Sequence, residues 1–242
     1  MSPVPAMKVD DKINTGRANW SFGGNIPDNF VSHIKRSVPL YEEGHDLICQ
    51  LSDFFVLPDS TVYELGVSTG ELIRKLADYN KDKPNVQWIG LEREENMVDK
   101  AREHCADMDN VQIMNDDILL YDYQQADMIV SYYTIQFVPE RNRQQLFNKI
   151  YESLNWGGAF VLFEKVRAPD ARFNDIMTSL YRNFKKEKGF TADEIYNKED
   201  SLKGVLKPFS TEGNLGLLQR AGFTDIMTVM KYVCFEGFLA IK

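Results

Sequence analysis

Thr61-Val62-Tyr63-Glu64-Leu65-Gly66-Val67-Ser68-Thr69-Gly70 runs directly into Glu71-Leu72-Ile73-Arg74-Lys75-Leu76. The first five residues are rich in β-branched and aromatic side chains, the last six have helical spacing, and two glycines stand at the join. The pattern is a strand, a tight turn and a helix. Gly66 permits the turn, and Gly70 lets the helix pack close to the strand. A nucleoside can then approach the backbone without meeting a Cβ. Ser68 holds the middle position, where many nucleotide loops have glycine. A side chain there, with Glu64 just before, disfavours a diphosphate and suits a sulfonium with an amino-acid tail. Taken alone, E-x-G-x-x-x-G is also the spacing of an ordinary strand–helix turn.

Outward from this turn the chain alternates. Strands are expected at 86–92, 111–115, 126–133 and 157–165, and helices at 70–80, 96–105 and 141–154. Such alternation indicates a parallel sheet covered on both faces. A last helix, 211–221, is closed by Gly222, and strands near 223–232 and 233–241 follow with almost nothing between them. They must pair as a hairpin, so the sheet ends antiparallel. The expected architecture is the class I methyltransferase (Rossmann-like) α/β fold, with seven strands, mostly parallel, and an antiparallel C-terminal hairpin.

The flanks complete one domain over 19–242. Residues 1–18 are polar with two prolines and read as a flexible arm, with order beginning near Trp20 and Phe22. N-terminal helices are expected across 28–57, broken at Ser37-Val-Pro39-Leu-Tyr41. Residues 170–208 are helical and charged, with Tyr181, Phe184, Phe190 and Tyr196 interspersed. They read as a lid inserted between strands.

The 242 residues are 43% hydrophobic, enough for one sizeable core, and the net charge of −8 argues against gripping a long polyanion. Direct nucleic-acid binding is therefore not expected. Cys49, Cys105 and Cys234 are few, odd in number and without a CxxC pair, and His33, His45 and His104 form no HxxxH pair. Neither a disulfide scaffold nor a metal site is expected. No apolar run approaches the length of a membrane span, and the start Met1-Ser-Pro-Val-Pro-Ala-Met-Lys8 lacks the apolar core of a signal peptide. A soluble, cytoplasmic protein is expected.

The strand ends carry the chemistry. Leu91-Glu92 closes the second strand, where a carboxylate can accept from both hydroxyls of a ribose. Asn115-Asp116-Asp117-Ile118 closes the third. There a carboxylate can accept from an adenine amino group, and Ile118 can pack on the ring, local Asx turns being the alternative for Asp116 and Asp117. The fourth strand ends in Ser131-Tyr132-Tyr133, with Gln136 beyond, and the two tyrosines serve equally as core and rim. Elements of this kind at successive carboxyl ends fit one crevice. S-adenosylmethionine is the cofactor they indicate, with S-adenosylhomocysteine as product.

Arg36-Ser-Val-Pro-Leu-Tyr41, Trp20-Ser-Phe22 and Tyr133-Thr-Ile-Gln136-Phe137 resemble the carboxy-S-adenosylmethionine synthase family. So do Lys149-Ile-Tyr151, Leu154-Asn-Trp-Gly157-Gly158-Ala159, Glu164-Lys165 and Ala221-Gly222-Phe223. The likeness runs from Trp20 to Lys242. It implies a homodimer. In family members it also implies conversion of S-adenosylmethionine and prephenate into a carboxylated sulfonium, which a partner enzyme uses on the wobble uridine of tRNA. Carried over by position, Tyr41, Gly66, Glu92 (Asp in the family) and Asp117-Ile118 hold the nucleoside and its tail, while Arg36, Arg182 and Glu199 stand on the substrate side. Three further positions depart. The family arginine that pairs with the added carboxylate falls on Glu199, the fourth-strand asparagine on Tyr132, and the loop cysteine on Val67. A carboxylate facing a carboxylate repels, where arginine makes a two-bond clamp. Losing such a buried pair costs roughly 3–5 kcal/mol. Lys198 or Arg182 can take the role only after a shift of register.

The expectation is a methyltransferase acting in line on a small-molecule acceptor, without a compact catalytic triad. A general base is needed only if the acceptor holds its proton near neutral pH. Tyr133 and Tyr181 are the acceptor-facing candidates, each alternatively a packing group of core or lid. Arg182 with Lys185, Lys186 and Lys188 can contact an acidic acceptor or form a solvated helix face. The alternatives are the family's carboxylated-cofactor synthesis and a non-catalytic protein that binds S-adenosylmethionine or its demethylated product.

Overall fold

The computed structural model describes residues 7–10, 13–20, 22 and 26–242. The chain there begins with a short antiparallel ribbon, β1 (Met7–Asp10) and β2 (Ile13–Thr15). Val9 and Ile13 are fully buried in it, packed with Trp20, Phe30 and Met97. Within the stretch expected as a flexible arm, these two apolar side chains anchor the described residues 7–10 and 13–15. The rest of that arm, residues 1–6 and 11–12, and Ser21 of the Trp20-Ser-Phe22 motif lie outside the described residues.

Two helices follow, α1 (Ile26–Ser37) and α2 (Tyr41–Ser52), separated at Pro39 and by Leu40 in left-handed conformation. The alternating region then gives β3 (Thr61–Leu65), α3 (Glu71–Tyr79), β4 (Gln87–Glu92), α4 (Glu95–His104), β5 (Val111–Asn115) and β6 (Ala126–Tyr132). After a single 3₁₀ turn, Ile135–Phe137, come α5 (Glu140–Ser153) and β7 (Leu154–Lys165). The insertion forms α6 (Ala171–Glu187) and α7 (Ala192–Ser201), the latter started by a Thr191–Glu194 capping box. The chain closes with α8 (Thr211–Ala221), β8 (Asp225–Tyr232) and β9 (Phe235–Ile241).

The strand order is β5-β4-β3-β6-β7-β9-β8, with β9 antiparallel to both its neighbours and the other pairs parallel. This is the expected seven-stranded sheet with its reversed C-terminal hairpin. Side chains alternate between two buried faces. Val62, Met128, Val130 and Val161 pack towards α2 and α3, while Tyr63, Leu65, Ile129 and Phe160 pack towards α5 and α8. Burial on both faces explains why these strands read as nearly continuous apolar runs. Order reverses between β3 and β6, so loops leave their carboxyl ends in opposite directions and open a crevice. Among the described residues, no helix is long and apolar enough to cross a membrane.

Candidate functional site

The crevice above β3, β4, β5 and β6 is one cavity. Tyr41, Glu64, Gly66, Ser68, Glu92, Asp116, Asp117, Ile118, Tyr132, Tyr133, Tyr181 and Glu199 line it together. Gly70, Arg36 and Arg182 are not among its lining residues. The loop after β3 is tied down by its backbone: Gly66 and Val67 N–H groups both donate to the Leu91 carbonyl, at 2.8 and 3.0 Å. Ser68 sits at φ 50°, a strained conformation for a residue with a Cβ. The Ser68 N–H donates to Glu92 Oε2 at 3.0 Å, while Glu92 Oε1 accepts from Arg93 and Glu94 N–H at 2.9 and 3.0 Å. Burial raises the Glu92 pKa, and those three donors act against the rise. The carboxylate is thus fixed in orientation, with acceptor capacity left for a diol.

The glycines serve the chain's own packing. Gly66 has φ 75°, and a Cβ there would overlap the Thr134 side chain. Gly70 has φ 86°, and its Cβ would stand 3.3 Å from Ala101 Cα and Cys105 Sγ on α4. Thr134 and α4, and not an incoming nucleoside, fill the spaces these glycines leave.

Three buried polar atoms around this loop have no hydrogen-bond partner: Glu64 Oε2, Thr69 Oγ1 and His45 Nε2. All three residues line the cavity. Burial pushes the Glu64 carboxyl well above its ordinary range and holds His45 down to about 3, so the imidazole sits neutral near pH 7. Orphaned groups of this kind match the donors and acceptors of an amino-acid tail. Glu92 has acceptor capacity for a diol and Ile118 offers an apolar face to the same cavity, so the residues present fit S-adenosylmethionine. Sequence reasoning missed Thr69 and His45. The missing signal was spatial, because His45 reaches the loop only through the packing of α2 on β3.

Beyond the loop stand four tyrosines. The Tyr132 hydroxyl donates to the Tyr41 carbonyl at 2.7 Å, and a Cβ on Gly44 would collide with it, so Tyr132 pins β6 to α2. Tyr133 lies at φ 60° with its ring against Phe163 and Phe235, and burial raises its phenol. It can donate a hydrogen bond into the cavity but is a poor base near neutral pH. The Tyr181 hydroxyl donates to the Ser37 carbonyl at 2.8 Å, joining α6 to the end of α1.

At the lid end, Arg36 is engaged by Asp10 and stacks on Phe190, 4.6 Å from the ring centre. Arg182 is engaged by Glu199. Of the Arg182, Lys185, Lys186 and Lys188 group, only Lys185 turns inward and is buried, and it lines the cavity with Lys165 and Lys198. Among the described residues, no group of His, Cys, Asp and Glu could hold a metal ion, and the three cysteines are free and buried.

Residues 62–158 match the methyltransferase-domain family. The chain is 36% identical over 231 residues to the carboxy-S-adenosyl-L-methionine synthase of Staphylococcus epidermidis, covering 95% of this chain and 100% of that one. It is 33% identical to the Nautilia profundicola enzyme of the same name, over 92% of this chain and 94% of the relative. Among solved structures, an O-methyltransferase family protein from Burkholderia thailandensis superposes with a TM-score of 0.63 at 15% identity, over 89% of this chain and 59% of that one.

Proposed function

The chain belongs to the carboxy-S-adenosyl-L-methionine synthase family, and on that premise we propose that it methylates a small-molecule acceptor held beneath α6 and α7. By fold and family it is an S-adenosylmethionine-dependent transferase. When bound, the cofactor supplies a sulfonium methyl that is already activated. The protein's part is then positioning. Glu92 receives the ribose hydroxyls, Asp116 and Asp117 face the adenine amino group, and Ile118 packs on the ring. Tyr41, Glu64, Gly66, Ser68 and Gly70 with its loop shape the place of the tail, and Tyr132 keeps β6 against α2. Tyr133 offers its hydroxyl as a donor to the acceptor. Tyr181 holds the lid, α6 and α7, against α1.

The observation that carries methyl transfer is at position 199. Glu199 stands where the resemblance places a carboxylate-clamping arginine, and both nearby arginines, Arg182 and Arg36, are already held by carboxylates. The second reading is synthesis of a carboxylated sulfonium, the product named for the relatives. It is favoured by the 36% identity along the whole relative and by the lysines at the lid end. Mass spectrometry of small molecules released from protein incubated with S-adenosylmethionine, with and without prephenate, separates the two. A carboxylated sulfonium formed only with prephenate establishes the second reading. Its absence, with S-adenosylmethionine or S-adenosylhomocysteine retained, supports the first and calls for acceptor screening.

Two further features belong to this reading. Phe173, Ile176 and Leu180 form an exposed apolar face on α6, suited to pairing two copies as a homodimer. Leu180→Glu should convert the dimer to a monomer in light scattering, and an unchanged mass would remove α6 from the interface. Three free, buried thiols accord with a reducing cytoplasm.

A further inference from the structure

A second group of chemistry-bearing side chains stands away from the strand ends. His33 and Ser37 lie one turn apart on α1, and both line the cavity. The Ser37 hydroxyl is 3.2 Å from His33 Nε2, and His33 Nδ1 is 2.6 Å from Asp10 Oδ2 on β1. All three residues are buried. The order is hydroxyl, imidazole, carboxylate. The sequence shows no compact triad because Asp10 meets His33 only when the ribbon folds onto α1.

The tautomer follows from the partners. A carboxylate only accepts, so Nδ1 carries the ring proton and donates to Asp10. Nε2 keeps its lone pair and accepts from the Ser37 hydroxyl. Arg36 engages the other oxygen of Asp10 and fixes the carboxylate in place, while the Tyr181 hydroxyl holds the Ser37 carbonyl at 2.8 Å. Burial first, then the Lys198 charge, holds His33 down to about 4 against the pull of Asp10, with Arg36 adding to the fall. The imidazole is therefore neutral near pH 7 and free to take a proton. A hydroxyl, a base and a group that orients the base, in hydrogen-bonded series, is the arrangement that activates a serine. Trp20 stacks on the His33 ring and Phe190 meets it edge-on, and with Phe22 and Ile34 they make this part of the cavity apolar. Lys198, seated over Trp20 and lining the same cavity, supplies a cation for an oxyanion formed there.

We propose that Ser37, His33 and Asp10 form a nucleophilic site with a hydrolytic activity of its own, acting on a small neutral ester with an apolar acyl group. Ser37 Oγ bonds to the acyl carbon as its proton passes to His33 Nε2. The bond from the acyl carbon to the alcohol oxygen then breaks, and the alcohol leaves with that proton. Water attacks the acyl carbon in turn and gives a proton to His33, which returns it to Ser37 as the acid is released. Asp10 is the positioning residue for His33. The activity is separate from methyl transfer.

The unmodified protein is treated with diisopropyl fluorophosphate, and the adduct is located by peptide mass spectrometry. Ser37 should be the residue labelled, its oxygen displacing fluoride from phosphorus as its proton goes to His33. Because His33 is already neutral, the labelling rate should be level from about pH 6 to about pH 8. His33→Gln and Asp10→Asn, each checked for cooperative melting, should slow labelling by about tenfold or more. What remains in them should rise with pH, since hydroxide alone then removes the proton. p-Nitrophenyl butyrate should be hydrolysed with a first turnover faster than the rest, and Ser37→Ala should abolish this. No adduct at Ser37 in the unmodified protein overturns the site, and that result needs no variant to fold. An adduct formed equally fast in both variants also overturns it. Labelling of Ser37 without Ser37-dependent release of p-nitrophenolate overturns the ester activity. None of these readouts involves S-adenosylmethionine, so the cofactor reading stands or falls apart from them.

Discussion

Arg182 holds Glu199 with both ends of its guanidinium, Nε to Oε1 at 3.0 Å and Nη2 to Oε2 at 2.7 Å, linking α6 to α7. Repulsion of an incoming carboxylate by Glu199 is thereby blunted, because its charge is already neutralised at the cavity rim. Burial acts to raise the Glu199 pKa, but Arg182 and the lysines outweigh it and the net shift is downward. Stability from the pair is accordingly present above the unfolded carboxyl pKa and lost as pH falls through the depressed folded value. Both partners are partly exposed, so the pair contributes only about 0–1 kcal/mol.

Replacing Glu199 by Arg tests what that position decides. Glu199→Arg places a guanidinium at the rim but leaves Arg182 facing a like charge. The melting temperature should fall by a few degrees, while affinity for carboxy-S-adenosylmethionine over S-adenosylmethionine should rise by tenfold or more in competition binding. An unchanged ratio would show that position 199 does not reach the carboxylate.

Glu92 should be the most sensitive residue for the nucleoside. It loses three backbone donors as well as the ribose when replaced by Ala, and each hydrogen bond to a charged group contributes about 1.5–3 kcal/mol. Glu92→Ala should weaken S-adenosylhomocysteine binding by ten- to a hundredfold, with Glu92→Gln intermediate. Unchanged affinity by calorimetry would place the ribose elsewhere.

Gly66→Ala carries two penalties that the sequence alone does not separate. The left-handed φ of 75° disfavours any Cβ by about 1–2 kcal/mol, and overlap with Thr134 adds about 1–3 kcal/mol. Thermal melting should show a loss of roughly 5–15 °C. A loss below about 2 °C would mean that Thr134 moves aside freely.

Residues at strand ends were legible because a parallel sheet with a known switch point puts Glu64, Glu92, Asp117 and Tyr132 on one rim whatever the side chains between them do. The lysines were not legible in that way. Lys185 sits in a charged run that reads as a solvated face, and only the docking of Tyr181 on Ser37 and Phe235 turns it inward. The ribbon of β1 and β2 escaped for a related reason. Strands of four and three residues have no periodicity to read, and theirs is fixed by distant partners, among them the Asn197 side chain donating to the Lys8 carbonyl at 2.7 Å.

A buried carboxyl outside the crevice gives the fold a pH dependence. Glu164 on β7 is 1% exposed, and its Oε1 has no hydrogen-bond partner. Directly across on β9, Glu236 is satisfied by Thr211, Thr228 and Lys231. Burial pushes the Glu164 carboxyl up to about 8, against the opposing pull of Arg143 and the Gln136 and Ile135 N–H groups. A raised carboxyl pKa means that the folded state holds a proton which the unfolded chain releases near its ordinary value of 4.5. Its stabilising contribution is therefore complete below that value and lost as pH rises towards 8. Glu164→Gln keeps the shape without the charge, so it should raise stability at pH 8 by about 2–4 kcal/mol and have little effect at pH 5. Denaturant titrations of both proteins across that range measure the difference directly. A gain that is equal at pH 5 and pH 8 would assign it to packing and not to the buried proton.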